Sequence, residues 1–219
     1  FSYKHNKVFK NENFIDCKNG DYIYEFSKLI KYTNAIFIGS NPNFGHFMFN
    51  HLAKLCLIDD NLSRLPIIIG EDTPKRFLEC LKYFNFNKII LAQKSQVLMI
   101  DDLYVPQMPW FSVDREGYWS PNITNELRKK FKISNKKRLT KNLILSRKNA
   151  AHTKICNEDK IFEYLNKNYN FELFEPENFT ISEQIEIAKN VKTMITSFGS
   201  GTTLAFFMSK HSKVIELRP

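Results

Sequence analysis

A chain of 219 residues suits one large domain or two small ones, and 43% hydrophobic with 25% charged residues excludes wholesale disorder. Seven glycines against eight prolines exclude collagen and Gly-rich linkers, and no stretch approaches the roughly 20 apolar residues of a membrane-spanning helix. Lys+Arg 32 against Asp+Glu 23 give +9 with His neutral, which directs attention to anionic partners.

The chain opens at Phe1 without an initiator Met and stops at Pro219, just after a predicted strand. It reads as a piece of a longer chain, trimmed at both ends. Its compartment stays open between bacterial cytoplasm or membrane periphery and a eukaryotic secretory lumen.

In chain order, Ala35–Ile38 reads as a buried strand followed by the turn Gly39-Ser40-Asn41-Pro42. Phe44 to Leu57 has helical spacing: Phe44, Phe47, Met48, Leu52, Leu55 and Cys56 are apolar, and His46, Asn50 and Lys54 fall on another face. Pro66–Ile69 is a second strand, Pro74–Phe84 a second helix and Lys88–Leu91 a third strand. Gln96–Val105 adds one or two more, and Met108–Ser120, rich in Trp, Pro and Tyr, reads as a connecting loop. Glu126–Lys132 is helical and Ser134–Lys141 a polar basic linker.

The pattern then restarts. Leu143–Leu145 is a strand, Asn157–Asn166 a helix and Phe171–Phe174 a strand. Thr180–Asn190 is a helix with a capping box, Thr180 at the N-cap and Glu183 at N3. Met194–Thr196, Thr202–Met208 and Lys213–Leu217 follow as strand, helix and strand. Repeated β-α units predict an α/β fold with parallel sheets covered by helices, the basic linker dividing two such sheets. The boundaries are 1–120 for the N-terminal domain, 121–141 for the basic helix and linker, and 142–219 for the C-terminal domain.

Cys17, Cys56, Cys80 and Cys156 are widely spread without a C-x-x-C pair, so they read as free, mostly buried thiols rather than zinc ligands. The sequons at Asn61, Asn122 and Asn178 arise by chance in so Asn-rich a chain and do not establish secretion. Charge is concentrated: eleven basic residues and no acidic one lie between Arg128 and Lys154, and +9 less those eleven leaves −2 elsewhere. The run is either a solvated face or the site of an anionic partner. It contains no nucleic-acid motif and no interleaved aromatics.

Three loops carry possible chemistry. Ser146-Arg147-Lys148-Asn149-Ala150 leaves a strand end, where Arg can grip a phosphate bidentately, with Lys154 a turn or two beyond. Ser197-Phe198-Gly199-Ser200-Gly201-Thr202 joins strand to helix, and its glycines let backbone N–H groups approach an anion or simply make a tight turn. Asn43-Phe44-Gly45-His46 opens a helix with a histidine that can act as a base or serve local structure.

In order, these stretches resemble glycosyltransferase family 61. Asn43-Phe44-Gly45-His46 through Leu55 is similar to its N-x-x-H-aromatic-x-x-D/E-x-L-P-R-L signature. Ser146-Arg147-x-x-Ala150-x-x-x-Lys154-Ile155-x-Asn157-Glu158 is similar to its S-R-x-x-A-x-x-x-R-ϕ-x-N-E block. Glu183-Gln184 matches an E-Q pair. Ser197 to Thr203 with Ser212 to Leu217 resembles the P-H-G-A-G-L-T…S-K-V-I-E-L ending. The resemblance spans roughly residues 35–219.

It implies a GT-B arrangement of two Rossmann-like domains, inverting transfer from a nucleotide sugar, commonly UDP-linked, and a glycan or other hydroxyl acceptor on the N-terminal side. By carry-over Arg147 and Lys154 hold the diphosphate and Ser146 shapes the loop. Gly199, Ser200, Gly201 and Thr202 donate to the diphosphate, Glu216 accepts a ribose or sugar hydroxyl, and His46 faces the cleft near the acceptor. The residue able to act as base is His46, with Asp59, Asp60 or another carboxylate as alternatives. No resident cofactor is implied, and without a D-x-D triplet no metal is expected. The Glu175-Pro176-Glu177 stretch reads as solvated carboxylates.

The chain departs from the family at Asn50, where an acid is usual, at Phe198, where a His is usual, and at Lys154, where Arg is usual. Lys keeps the charge but loses the fork. Two rival readings remain: a catalytically impaired sugar-nucleotide-binding or scaffold protein of this fold, and a basic nucleic-acid-binding protein.

Overall fold

The computed structural model describes residues 8–10, 13–15, 28–86, 88–94, 96–113, 116–135, 139–150 and 153–218, with backbone alone for 8–10, 13–15 and 110–118. Cys17, with Lys136, Lys137 and Arg138 of the basic run, lies outside the described residues.

Strands β1 (Val8–Lys10) and β2 (Asn13–Ile15) form an antiparallel hairpin. The first half then builds a parallel sheet from β3 (Lys28–Gly39), β4 (Ile67–Gly70), β5 (Ile89–Ala92) and β6 (Gln96–Tyr104), ordered β5-β4-β3-β6. The run Ala35–Ile38 is only the buried part of β3. The preceding residues pair with β6 from Lys28↔Gln96 onward, and their partial exposure hides them from a search for continuous apolar runs.

Phe44–Leu57 is helical in three pitches: α1 (Phe44–His46), a π turn over Phe47–His51 and a 3-10 segment Leu52–Leu57. Asn43 caps it, its Oδ1 accepting the His46 N–H at 3.3 Å. The π turn departs from the 3.6-residue period. His46 and Asn50 still meet, but Lys54 instead reaches the Ile38 carbonyl beside His51. The second predicted helix is a 3-10 segment, Lys75–Tyr83, burying Phe77, Cys80 and Leu81.

The stretch read as a connecting loop contains an antiparallel hairpin, β7 (Trp110–Val113) with β8 (Glu116–Trp119). Its aromatic and β-branched residues favour strands, a signal obscured by the neighbouring Pro109 and by Gly117. Helix α2 (Pro121–Lys130) starts earlier than predicted, with Pro121 in the first turn, where a missing N–H costs no helical bond.

The second half runs β9 (Lys141–Leu145), α3 (Glu158–Tyr169), β10 (Phe171–Phe174), α4 (Ile181–Ala188), β11 (Val191–Ser197), a 3-10 segment Ser200–Phe207, and β12 (Lys213–Leu217). Its sheet is parallel, ordered β10-β9-β11-β12. The molecule is thus α/β with two Rossmann-like halves. The expected capping box is present: Thr180 Oγ1 accepts the Glu183 N–H at 3.2 Å and Glu183 Oε2 accepts the Thr180 N–H at 2.8 Å. Helix α3 ends on Asn170 in the left-handed region (φ 54°), a conformation Asn tolerates at a helix end.

Alternation along the strands sorts side chains to the two sheet faces. Ile36, Ile38, Ile67 and Ile69 share one continuous core with Leu143, Leu145, Met194, Ile181 and Ile185 from the other half. Phe131, fully buried, stacks edge-on to Phe84 and Phe207 at centroid distances of 6.2 and 5.1 Å, stitching the halves together. Burying such a ring is worth about 1.5–3 kcal/mol.

Polar links add to that seam. Arg128 donates Nη2 to the Met208 carbonyl at 3.0 Å and Nη1 to that of Phe206, and burial lowers its pKa. Lys129, Lys141 and Lys148 pair with Glu126, Glu172 and Asp159. Much of the basic run therefore serves internal contacts. Among the other thiols Cys80 is buried, Cys56 half-buried and Cys156 exposed, a more mixed set than expected. Burial pushes the Cys56 thiol up to about 11.

Candidate active site

In the second sheet, β10 lies to one side of β9, with β11 and β12 on the other. Open α/β sheets bind ligands beyond the carboxyl ends of strands at such a reversal. Two loops leave the sheet there: Ser146–Ala150 after β9 and Phe198-Gly199 after β11.

A buried carboxylate shapes the first loop. Glu158, 6% exposed at the start of α3, accepts the Ser146 hydroxyl on Oε1 at 2.6 Å and the Arg147 N–H on Oε2 at 2.8 Å. The positive end of the α3 dipole favours its charge. Arg147 Nη2 donates to Thr153 Oγ1 at 2.8 Å, and Ser197 Oγ donates to the Thr153 carbonyl at 3.0 Å, tying the two loops together.

The second loop depends on glycine. Gly199 sits at φ +144°, which disfavours any L side chain, and a Cβ there would meet Arg147 Nη2 at 3.1 Å. A Cβ on Gly201 would strike Leu145 at 2.6 Å. The Arg147 guanidinium thus lies against the glycine turn, with no side chain between them.

Between the halves, at this point, opens a cavity of about 240 Å³. The second half lines it with Ser146, Arg147, Ser200 and Gly201, and with Glu177 and Gln184; the first half contributes Phe44, Arg76 and Phe77. Gln184 is buried and donates to the Pro176 and Phe179 carbonyls at 2.7 and 3.0 Å, fixing the turn that carries Glu177. Asn149 Nδ2 donates to Glu177 Oε1 at 2.6 Å.

Of the residues singled out in sequence, Ser146, Arg147, Ser200 and Gly201 therefore meet at the cavity, and Gly199 backs Arg147. Thr202 and Glu216 stand apart from the lining. Thr202 Oγ1 is 3.4 Å from Glu216 Oε1, and Arg218 Nε donates to Glu216 Oε2 at 2.7 Å. Lys154 is exposed and lines no part of the cavity.

His46, expected to face the cleft, is not among the lining residues; it is exposed, in the turn where a Cβ on Gly45 would meet Thr203 Oγ1 at 2.8 Å. Its Nδ1 is 3.3 Å from Asn50 Nδ2, and Asn50 Oδ1 is buried without a partner. Deeper in the same half, the register of β3 on β4 slips at Ile38, leaving its carbonyl to His51 Nδ1 at 2.8 Å and Lys54 Nζ at 3.1 Å. Burial above all lowers the pKa of His51, opposed by that hydrogen bond and reinforced by Lys54 and His46.

Sequence reasoning did not single out Arg76, Phe77, Glu158 or Glu177 as site residues. Glu158 was visible as the closing residue of the S-R…N-E block, whereas Arg76 has no motif around it. Among the described residues no group of three or more His, Cys, Asp or Glu could hold a metal, and no helix is long and apolar enough to cross a membrane.

Fold and cleft define an α/β protein whose two parallel-sheet halves enclose a cavity lined by arginine and glycine. The family model for glycosyltransferase 61 matches residues 44–215, and the chain belongs to that family. Membership makes it a glycosyltransferase in type, with a nucleotide-sugar donor and a glycan acceptor in general terms. No curated protein matches the chain.

Proposed function

We propose that the protein transfers a sugar from a UDP-linked donor to a glycan or other hydroxyl acceptor with inversion, in a GT-B arrangement and without a metal. The domain division is 1–120 on the acceptor side and 142–219 on the nucleotide side, joined by 121–141. The observation that carries this reading is Arg147 lying on the Gly199–Gly201 turn at the inter-half cavity.

Departure of a nucleoside diphosphate builds negative charge, which a guanidinium and backbone N–H groups stabilise. Ser200 adds a hydroxyl at the cavity wall. Lys154 strengthens the field from outside, and Thr202 and Glu216 reach the nucleotide's hydroxyl-bearing part. His46, at the junction of α1 with the 200–207 segment, takes the acceptor proton.

Asn50 at the usual acid position favours a second reading, a protein that binds the donor without turnover. Calorimetric titration with a panel of nucleotide sugars, paired with turnover assays with and without chelator, tests both. A UDP-sugar should bind and turn over, and chelator should leave turnover intact. Arg147→Ala should weaken binding by the roughly 1.5–3 kcal/mol of a charge-assisted contact. Unchanged affinity in a folded Arg147→Ala protein would overturn the donor site; binding without turnover would select the second reading.

A further inference from the structure

The cavity has a second guanidinium that nothing in the motif pattern assigns. Arg76 enters it from the first half, in the 3-10 segment Lys75–Tyr83, opposite the loops that carry Arg147. Its guanidinium carbon lies 5.5 Å from the centroid of Phe77. Phe77 is itself 2% exposed and packs on Phe44 and Phe47 at 5.0 and 5.6 Å. An immobile ring therefore braces an otherwise exposed cation at the cavity wall.

Arg76 has no carboxylate partner among the described residues. Glu177, the carboxylate among the lining residues, accepts from the neutral Asn149 amide and keeps its charge, so the lining carries two cations against one anion. Two arginines thus share a space of about 240 Å³, one from each half. Like charges facing a common, partly enclosed space repel, and an anion between them reverses the sign of that interaction. The volume is below the roughly 300–1,000 Å³ of pockets that enclose a whole drug-sized ligand. It suits a compact, multiply charged fragment.

We infer that Arg76 and Arg147 clamp the same diphosphate from opposite halves, so that the anionic part of the donor bridges the two halves. This rests on the donor-site reading above and adds a ligand from the half otherwise assigned to the acceptor. Guanidinium forks suit phosphate oxygens bidentately, and an ammonium does not reproduce them.

The test is calorimetric titration of inorganic pyrophosphate into the wild-type protein and into Arg76→Ala, Arg76→Lys, Arg76→Glu and Arg147→Ala, with thermal unfolding as the folding control. Arg76 is exposed, so its variants should fold. Arg76→Ala and Arg147→Ala should each weaken pyrophosphate about tenfold or more. Arg76→Lys should recover only part of the loss, and Arg76→Glu should bind more weakly than Arg76→Ala. Wild-type affinity in Arg76→Ala, with affinity lost in Arg147→Ala, would overturn the clamp and leave the donor site standing; Arg76 would then serve the acceptor. No pyrophosphate binding by the wild type, or no effect of either alanine, would overturn both.

Discussion

Glu158 fixes Ser146: one carboxylate oxygen accepts the serine hydroxyl at 2.6 Å while the other accepts the next residue's N–H at 2.8 Å. The loop that aims Arg147 is therefore set by a carboxylate that does not line the cavity. Glu158→Ala removes both acceptors and leaves a buried hydroxyl and a part-buried amide without them. Each costs about 1–3 kcal/mol. Denaturant unfolding should show a loss of that order, and nucleotide-sugar affinity should fall even though Arg147 is intact. Affinity unchanged in the destabilised variant would mean that Arg147 is positioned independently of Glu158.

A second relationship crosses the halves. Glu79 Oε2 accepts the Ser182 N–H at 3.1 Å and its hydroxyl at 3.0 Å, capping the first turn of α4 from the other half, and Lys82 Nζ donates to Ser182 Oγ at 2.6 Å. A carboxylate at a helix N-terminus satisfies an orphan N–H and the local dipole. Glu79→Ala should lower stability by about 1–2 kcal/mol. Ser182→Ala should remove part of the same energy, and the double variant should show coupling. Strict additivity would show that the contact does not hold the halves.

What was legible in the sequence follows from how local each signal is. Phe171–Phe174 and Lys213–Leu217 agree residue for residue with β10 and β12, because short apolar runs are bounded by clear breaks. The Thr180/Glu183 box is a local hydrogen-bond pattern and is equally plain. The β7–β8 hairpin escapes detection because its pairing is between segments with no clean alternation. The π turn at Phe47–His51 is also hidden, since an apolar stripe reports a helix but not its pitch. Arg76 is invisible for a different reason: only the packing of Phe77 against Phe44 and Phe47 turns it toward the second half's loops.

His51 gives a pH dependence. Burial, the largest influence, lowers its pKa from the ordinary 6.5, so the folded protein resists protonating it. As pH falls through 6.5 the unfolded chain takes up the proton first. The associated stability is whole above 6.5, declines between 6.5 and the lower folded-state value, and is flat below that. His51→Gln keeps a donor for the Ile38 carbonyl but cannot titrate. Compared by denaturant unfolding at about pH 7.5 and about pH 5, the wild type should lose more stability than this variant. Equal losses would remove His51 as the origin.

Asn50 decides what His46 can do. A carboxylate at this position only accepts, so it would hold Nδ1–H and leave the Nε2 lone pair outward for a proton. An amide can present either end. Donation from Nδ2, 3.3 Å from Nδ1, requires the tautomer with its proton on Nε2 and the Nδ1 lone pair turned inward. Turning the amide restores the basic Nε2 but places an NH₂ where the buried, unpartnered Oδ1 now sits. Neither orientation satisfies both ends, so the amide enforces neither tautomer.

Asn50→Asp should therefore raise turnover several-fold and move the acidic limb of the pH–rate profile upward, because the new carboxylate favours the imidazolium. That gain should vanish in the Asn50→Asp/His46→Ala double variant, with donor affinity unchanged throughout. A general base is worth about 10²–10⁴-fold, so His46→Ala should cost far more in the Asn50→Asp background than in the wild type. If Asn50→Asp changes nothing and Glu177→Gln abolishes turnover instead, the proton goes to the carboxylate that lines the cavity.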